Sequence, residues 1–81
     1  MKLRIWWHNN YTMGIRDAFR MNVESVEQAI IVLTALMNYD LHLGDVITDN
    51  ASGLEMQDDS GEWSEWYDED TGEDIWRVIE E

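Results

Sequence analysis

The fold is decided by residues 25–39, SVEQAIIVLTALMNY, which predict a single long helix. Ser25 is a typical N-cap, and Gln28 three residues later completes a capping box for the free N–H groups of the first turn. Apolar residues share one helical face at positions 26, 29, 30, 33, 36 and 37. Three more extend this face nearly around the cylinder: Ile31, Val32 and Ala35. A helix this apolar is expected to be covered on more than one side.

Strand patterns precede the helix. Lys2–Trp7 alternates as a half-buried strand does, and its apolar face consists of Leu3, Ile5 and Trp7. Ile15–Val23 alternates again, with an apolar face made of Ile15, Phe19, Met21 and Val23. The segment His8–Gly14 between them is polar and ends in Gly, which predicts a loop or a wide hairpin turn.

The chain after the helix predicts a strand meander. Asp40–Ser52 is a polar connection, and Leu54–Asp58 and Glu62–Tyr67 are strand segments joined by an Asp-Ser-Gly turn. The last segment, Ile75–Ile79, is either a strand or a short terminal helix, and the alternation within it favours the strand.

Together these elements predict one α+β domain that spans residues 1–81. The expected element order is ββαβββ, with a short helix as the alternative for the last element. We expect a small antiparallel sheet with one helix packed on a face.

The charge of the chain is strongly acidic and unevenly distributed. Eighteen Asp and Glu against five Lys and Arg give a formal charge of −13, of which residues 1–23 carry +3 and residues 24–81 carry −16. Direct binding to nucleic acid or to an anionic membrane needs a basic surface, so both are disfavoured. The start of the chain lacks the apolar core of a signal peptide, and the run Ala29–Met37 is too short to cross a bilayer. We therefore expect a cytoplasmic protein.

Catalysis, cofactor binding and metal binding are not expected. The chain has no Cys, its two His (His8 and His42) lie in no nucleophile signature, and its five Gly are scattered. The acidic run Asp68–Asp74 has the composition of a calcium loop, but its sixth and twelfth residues are Glu73 and Ile79, where an EF-hand needs Gly and Glu. A turn built by Asp and Gly is the favoured interpretation, and whether it binds a divalent cation stays open.

The acidic and aromatic stretch in residues 55–74 is the candidate binding site. Carboxylates recur there every one to three residues along a predicted meander, so a sheet would array them as a regular negative field. Trp and Tyr are frequent anchors of interfaces, and Trp66 or Tyr67 would serve as the apolar anchor. The candidate partner-binding residues are Glu55, Asp58, Asp59, Glu62, Glu65, Trp66, Tyr67, Asp68, Glu69, Asp70, Glu73 and Asp74.

The segment GEWSEWYDED, Gly61–Asp70, resembles the acidic closing hairpin of small proteins of phages and mobile elements. Size and charge are similar to those of DNA-mimic inhibitors of the anti-CRISPR and anti-restriction type. This resemblance implies an anti-defence role in which the protein occupies a nucleic-acid-binding groove. It also implies that the expected cytoplasm is that of the host cell if the protein is phage-encoded. It transfers no individual functional residue.

Three hypotheses follow for the function. The first is a non-catalytic inhibitor whose acidic surface occupies a basic, nucleic-acid-binding site on a host defence or replication protein. The second is a structural or assembly module that forms a homodimer through the apolar helix Val26–Tyr39. The third is a protein that binds a small ligand.

Overall fold

A computed structural model describes residues 2–9, 18–44 and 50–80 of the chain. Its elements, in chain order, are β1 (Lys2–Asn9), β2 (Phe19–Val23), α1 (Val26–Leu43), β3 (Asn50–Gln57), β4 (Trp63–Glu65) and α2 (Ile75–Glu80). The predicted α+β class is confirmed, with one main helix on an antiparallel sheet.

The sheet has four antiparallel strands in the order β2-β1-β3-β4. Strand β1 is central, and Ile5 lies opposite Met21 on one neighbour and Leu54 on the other. Because β3 pairs with β1 rather than with β2, the chain crosses over the sheet between β2 and β3. Helix α1 forms this crossover and packs mainly over β1.

The core lies between α1 and the sheet, and it follows the alternation predicted for the first strand. Leu3, Ile5 and Trp7 are buried toward α1, whose inward residues are Ala29 and Leu33. Leu54, Trp66 and Ile75 complete the buried cluster from β3 and the C-terminal segment. Each fully buried aliphatic side chain contributes about 1.5–3 kcal/mol through its removal from water.

The N-terminus of α1 has the predicted N-cap at Ser25, while the Gln28 side chain reaches back to the residue before the cap rather than to Ser25 N. Ser25 Oγ accepts a hydrogen bond from Gln28 N at 3.0 Å, and the Gln28 side chain accepts one from Glu24 N. The helix continues past Tyr39 to Leu43 and ends at Gly44, whose φ of +65° suits a residue without Cβ. Among the described residues, no second element covers the outer apolar face of this helix, where Ile31 is 69% exposed.

Two strand predictions are corrected. Strand β2 begins at Phe19, and the predicted residues 15–17 lie outside the described residues. Phe19 and Met21 share the predicted face with Val23, yet only Val23 is buried. The reason is that β2 is an edge strand, and α1 lies mainly over the central strand β1.

The last element is a helix, so the preference for a strand over Ile75–Ile79 is wrong. Asp74 accounts for the difference, because its carboxylate accepts a hydrogen bond from Arg77 N at 3.0 Å and its carbonyl accepts one from Val78 N at 3.1 Å. This is the geometry of a helix N-cap. Ile75, Val78 and Ile79 then share a helical face that packs against the core.

Candidate functional site

The acidic residues predicted as a site are grouped around β4, the outer strand on one edge of the sheet. The turn 58–62 precedes this strand and the segment 66–74 follows it. Residues 55–74 contain ten Asp and Glu and no Lys or Arg. We call six exposed residues of this edge the acidic margin: Asp59, Glu62, Glu65, Tyr67, Glu69 and Asp70.

The turn before β4 is built by the carboxylate of Asp58. Its Oδ1 accepts hydrogen bonds from Ser60 Oγ at 2.6 Å, Ser60 N at 2.8 Å and Glu62 N at 3.0 Å. The bond from the Ser60 hydroxyl, followed by those from the backbone, lowers the pKa of Asp58 from its ordinary value. Gly61, with φ +91°, closes the turn. Asp58 is therefore committed to holding the hairpin.

The segment after β4 uses its carboxylates in the same way. Asp68 Oδ1 accepts from Asp70 N at 2.8 Å and Thr71 N at 3.1 Å, and the Asp68 backbone bonds to Glu73 and Gly72. Glu73 is half-buried, and Asp74 caps α2. The turn predicted around Gly72 is confirmed. In the part of the chain that the structure describes, no three His, Asp or Glu side chains converge as metal ligands.

Glu55 lies on the sheet face away from α1 and is neutralised by arginine. Its Oε1 accepts from Arg4 Nε at 2.8 Å, and Arg20 Nε is 3.9 Å away. The Arg4 guanidinium also stacks over the Trp63 ring, 3.9 Å from the ring centroid. Glu55 therefore belongs to a cation–π and ion-pair cluster rather than to the acidic margin.

The two predicted aromatic anchors have different surroundings. Trp66 is only 7% exposed, and its backbone N donates to Leu54 O at 2.9 Å, so it is a core residue and presents no anchor. Tyr67 is 51% exposed and its hydroxyl donates to Glu65 Oε2 at 3.0 Å. This hydrogen bond and the charge of Glu65 raise the pKa of Tyr67. Of the two predicted anchors, Tyr67 is therefore the one that is exposed on the surface.

The charged residues of β4 and its flanking turns are all acidic. Of the described cations on the sheet, Arg20 is on the opposite edge strand β2, and Lys2 and Arg4 are on the interior strand β1, from which Arg4 reaches the Trp63 ring on β4. The side chains of Asp59, Glu62, Glu69 and Asp70 are exposed and have no ion pair with any described residue. Four carboxylates on this edge are therefore fully available to a cationic partner.

A buried acid on α1 escaped the sequence analysis. The sequence predicted a polar connection at Asp40. In the structure Asp40 lies on the inward face of α1, seven residues after Leu33, and is 5% exposed. Its Oδ2 accepts from Trp7 Nε1 at 2.9 Å and Asn50 Nδ2 at 3.2 Å. The sequence signal was the spacing, because positions 29, 33 and 40 share one helical face.

Next to Asp40 is an aromatic cavity of about 410 Å³. Its walls include Trp6, Trp7, Trp76 and Met37. Trp76 Nε1 donates to Ser52 O at 3.1 Å, and the Trp7 and Trp76 rings meet edge to face with centroids 6.0 Å apart. Gly53 admits the Trp6 indole, because a Cβ at that position would lie 2.8 Å from Trp6 Nε1.

No helix among the described residues has the length and apolar character needed to cross a membrane. A protein-family model described as superinfection exclusion gene product 17 matches residues 2–81. Neither a comparison with curated proteins nor one with solved structures finds a match.

Proposed function

Because the chain belongs to the superinfection exclusion gene product 17 family, a family of phage proteins, we propose that it acts in the infected cell as a non-catalytic inhibitor. Its acidic margin binds a basic, nucleic-acid-binding site on a host defence or replication protein. The protein thereby excludes nucleic acid from that site. The partner is a protein, and neither nucleic acid nor membrane is bound directly.

The observation that carries this proposal is the set of unpaired carboxylates along the β4 edge. Asp59, Glu62, Glu69 and Asp70 neither hold a turn nor pair with a described cation. Clustered like charges disfavour folding through self-repulsion. Solubility of a small domain needs a net charge of only about 2–8, so −13 exceeds that need. Binding to a basic partner would account for this excess negative charge.

Association would be steered electrostatically. A negative edge attracts a basic groove over about one Debye length, ~8 Å at physiological salt. Such steering speeds encounter and selects against acidic partners more than it strengthens the final complex. Tyr67, exposed beside Glu65, would supply the apolar contact at the centre of the charged area.

The proposal is tested by affinity capture from host lysate with two matched variants. The margin variant carries Glu62→Gln, Glu69→Gln and Asp70→Asn, and the control variant carries Glu24→Gln, Glu27→Gln and Glu80→Gln. Both remove three exposed acids and leave the same net charge. We expect the wild type and the control variant to capture the same nucleic-acid-binding protein and the margin variant to lose it. Equal capture by all three, or no such protein with the wild type, would refute the proposal.

A second candidate is self-association through α1. Ile31 is 69% exposed at the middle of the outer helix face, and Leu41 is 71% exposed near its end. Exposed aliphatic side chains on a helix favour packing against another apolar surface. Light scattering decides this candidate: a dimer that Ile31→Glu converts to a monomer supports it, and a monomeric wild type rules it out.

A further inference from the structure

Asp40 is a buried carboxylate that has no cationic partner among the described residues. Its described hydrogen-bond donors, the Trp7 indole and the Asn50 amide, are both neutral. Across residues 2–9, 18–44 and 50–80, no Lys or Arg forms an ion pair with it. A buried charge is normally paired, because neutral donors compensate only part of the lost hydration. Asp40 therefore remains a strong site for a positive group.

Asp40 also lies close to the aromatic cavity, because it accepts the hydrogen bond of Trp7, one of the cavity's lining residues. It lines a second cavity of about 270 Å³, whose walls include Met37 and Asn50. Both of these residues also line the aromatic cavity of about 410 Å³. The two cavities are therefore neighbours with a shared wall; three indoles line the first and the Asp40 carboxylate lines the second. We call the two cavities together the tryptophan cleft.

The walls of the tryptophan cleft are held in place before any ligand arrives. Trp7 is fixed by its bond to Asp40 and Trp76 by its bond to Ser52 O. The edge-to-face contact of these two rings further restrains them. A prearranged cleft binds without the entropic cost of ordering its own side chains.

We propose that the tryptophan cleft receives an arginine side chain of the partner protein, with its guanidinium directed toward Asp40 and its stem against the indoles. The inference rests on the proposed function in that the partner is a basic protein. A guanidinium is planar, stacks on aromatic rings and forms paired hydrogen bonds with carboxylates, whereas an ammonium is a strongly hydrated point charge. The net charge of −13 favours the same ligand.

The chain already contains the same chemistry within itself. Arg4 lies 3.9 Å above the Trp63 ring centroid and donates to Glu55 at 2.8 Å. Tryptophan, arginine and carboxylate are all present in that cluster. The tryptophan cleft offers the aromatic and carboxylate components and lacks a described guanidinium. An arginine from the partner would complete it.

The probes for the test are the tripeptides acetyl-Gly-Arg-Gly-amide and acetyl-Gly-citrulline-Gly-amide. They have nearly the same shape, but citrulline is uncharged. Binding is followed by indole N–H shifts in NMR spectra of the full chain. We expect saturable shifts of the Trp7 and Trp76 signals with the arginine peptide and none with the citrulline peptide. Equal shifts with both peptides, or none with either, would overturn the inference.

Asp40→Asn is the decisive variant, because it keeps an acceptor for Trp7 and removes the charge. Glu62→Gln is the control, since it removes one exposed charge from the acidic margin. We expect Asp40→Asn to lower the affinity for the arginine peptide by about tenfold or more, because hydrogen bonds to charged groups are the stronger ones. Glu62→Gln should change this affinity by no more than about twofold, because exposed charges are screened. If Asp40→Asn unfolds the chain, Trp76→Phe replaces it with the same expectation of weakened binding.

The inference and the proposed function fail separately. If the margin variant loses the captured partner and Asp40→Asn binds the arginine peptide as the wild type does, the tryptophan cleft is refuted and the proposed function stands. If the arginine peptide binds in the tryptophan cleft and the margin variant keeps the partner, the role of the acidic margin is refuted instead.

Discussion

Two groups of carboxylates within residues 55–74 have opposite roles. Asp58, Asp68 and Asp74 accept hydrogen bonds from backbone N–H groups and so hold two turns and a helix start. Asp59, Glu62, Glu69 and Asp70 lie between them in sequence and face solvent. Some carboxylates of this segment therefore stabilise its fold, and others provide its surface charge. The difference teaches that a uniform acidic run can combine a scaffold with the charge that the scaffold displays.

The largest expected difference between the two groups is at the start of α2. Asp74→Ala removes the N-cap, so we expect the free energy of unfolding to fall by about 1 kcal/mol and the melting temperature to fall by about 4–8 °C for a domain of this size. Thermal unfolding followed by circular dichroism measures the change. Asp70→Ala, which removes an exposed carboxylate, is the matched control, and an equal loss for both variants would erase the distinction.

A smaller difference is expected in acid. The pKa of Asp58 is lowered in the folded protein, chiefly by the Ser60 hydroxyl, from an ordinary value near 3.8. A lowered pKa stabilises the fold above the unfolded-state value, and this contribution is lost as pH falls through the folded-state value. Urea unfolding at pH 7 and pH 3 should show a smaller drop in stability for Asp58→Asn than for the wild type. Asp59→Asn should match the wild type, and the reverse order would contradict the assignment.

The smallest expected effect concerns Tyr67. Its hydrogen bond to Glu65 and the charge of that carboxylate raise its pKa. With Tyr11 and Tyr39 replaced by Phe, ultraviolet titration reports Tyr67 alone. Glu65→Gln should lower the pKa toward the ordinary value of 10.0, while Glu62→Gln should not. An unchanged midpoint with Glu65→Gln would show that the contact has no influence in solution.

Local patterns predicted the fold where one signal was unopposed. The N-cap at Ser25 and the alternation of Leu3, Ile5 and Trp7 correctly predicted the start of α1 and the buried face of β1. The strand prediction for the segment after Asp74 was wrong because the apolar positions of that segment fit both a strand period and a helix period. There the N-cap was the deciding signal.

The site was less predictable because its properties depend on tertiary contacts. Composition indicated an acidic edge, but only the fold separates backbone-bound carboxylates from exposed ones. Trp66 and Tyr67 are adjacent in sequence, and one is buried while the other is exposed. Asp40 was missed because its donors, Trp7 and Asn50, lie on strands that only the fold brings to the helix.

The salt dependence of association between the protein and its captured partner tests the central claim most directly. We expect the association rate constant of the wild type to fall by about tenfold or more between ~50 mM and ~500 mM NaCl, because screening shortens the reach of the acidic margin. The margin variant should start slower and show a clearly weaker dependence, and the control variant should follow the wild type. A rate constant that salt leaves unchanged, or one that the margin and control variants alter equally, would contradict the claim that the acidic margin binds the partner.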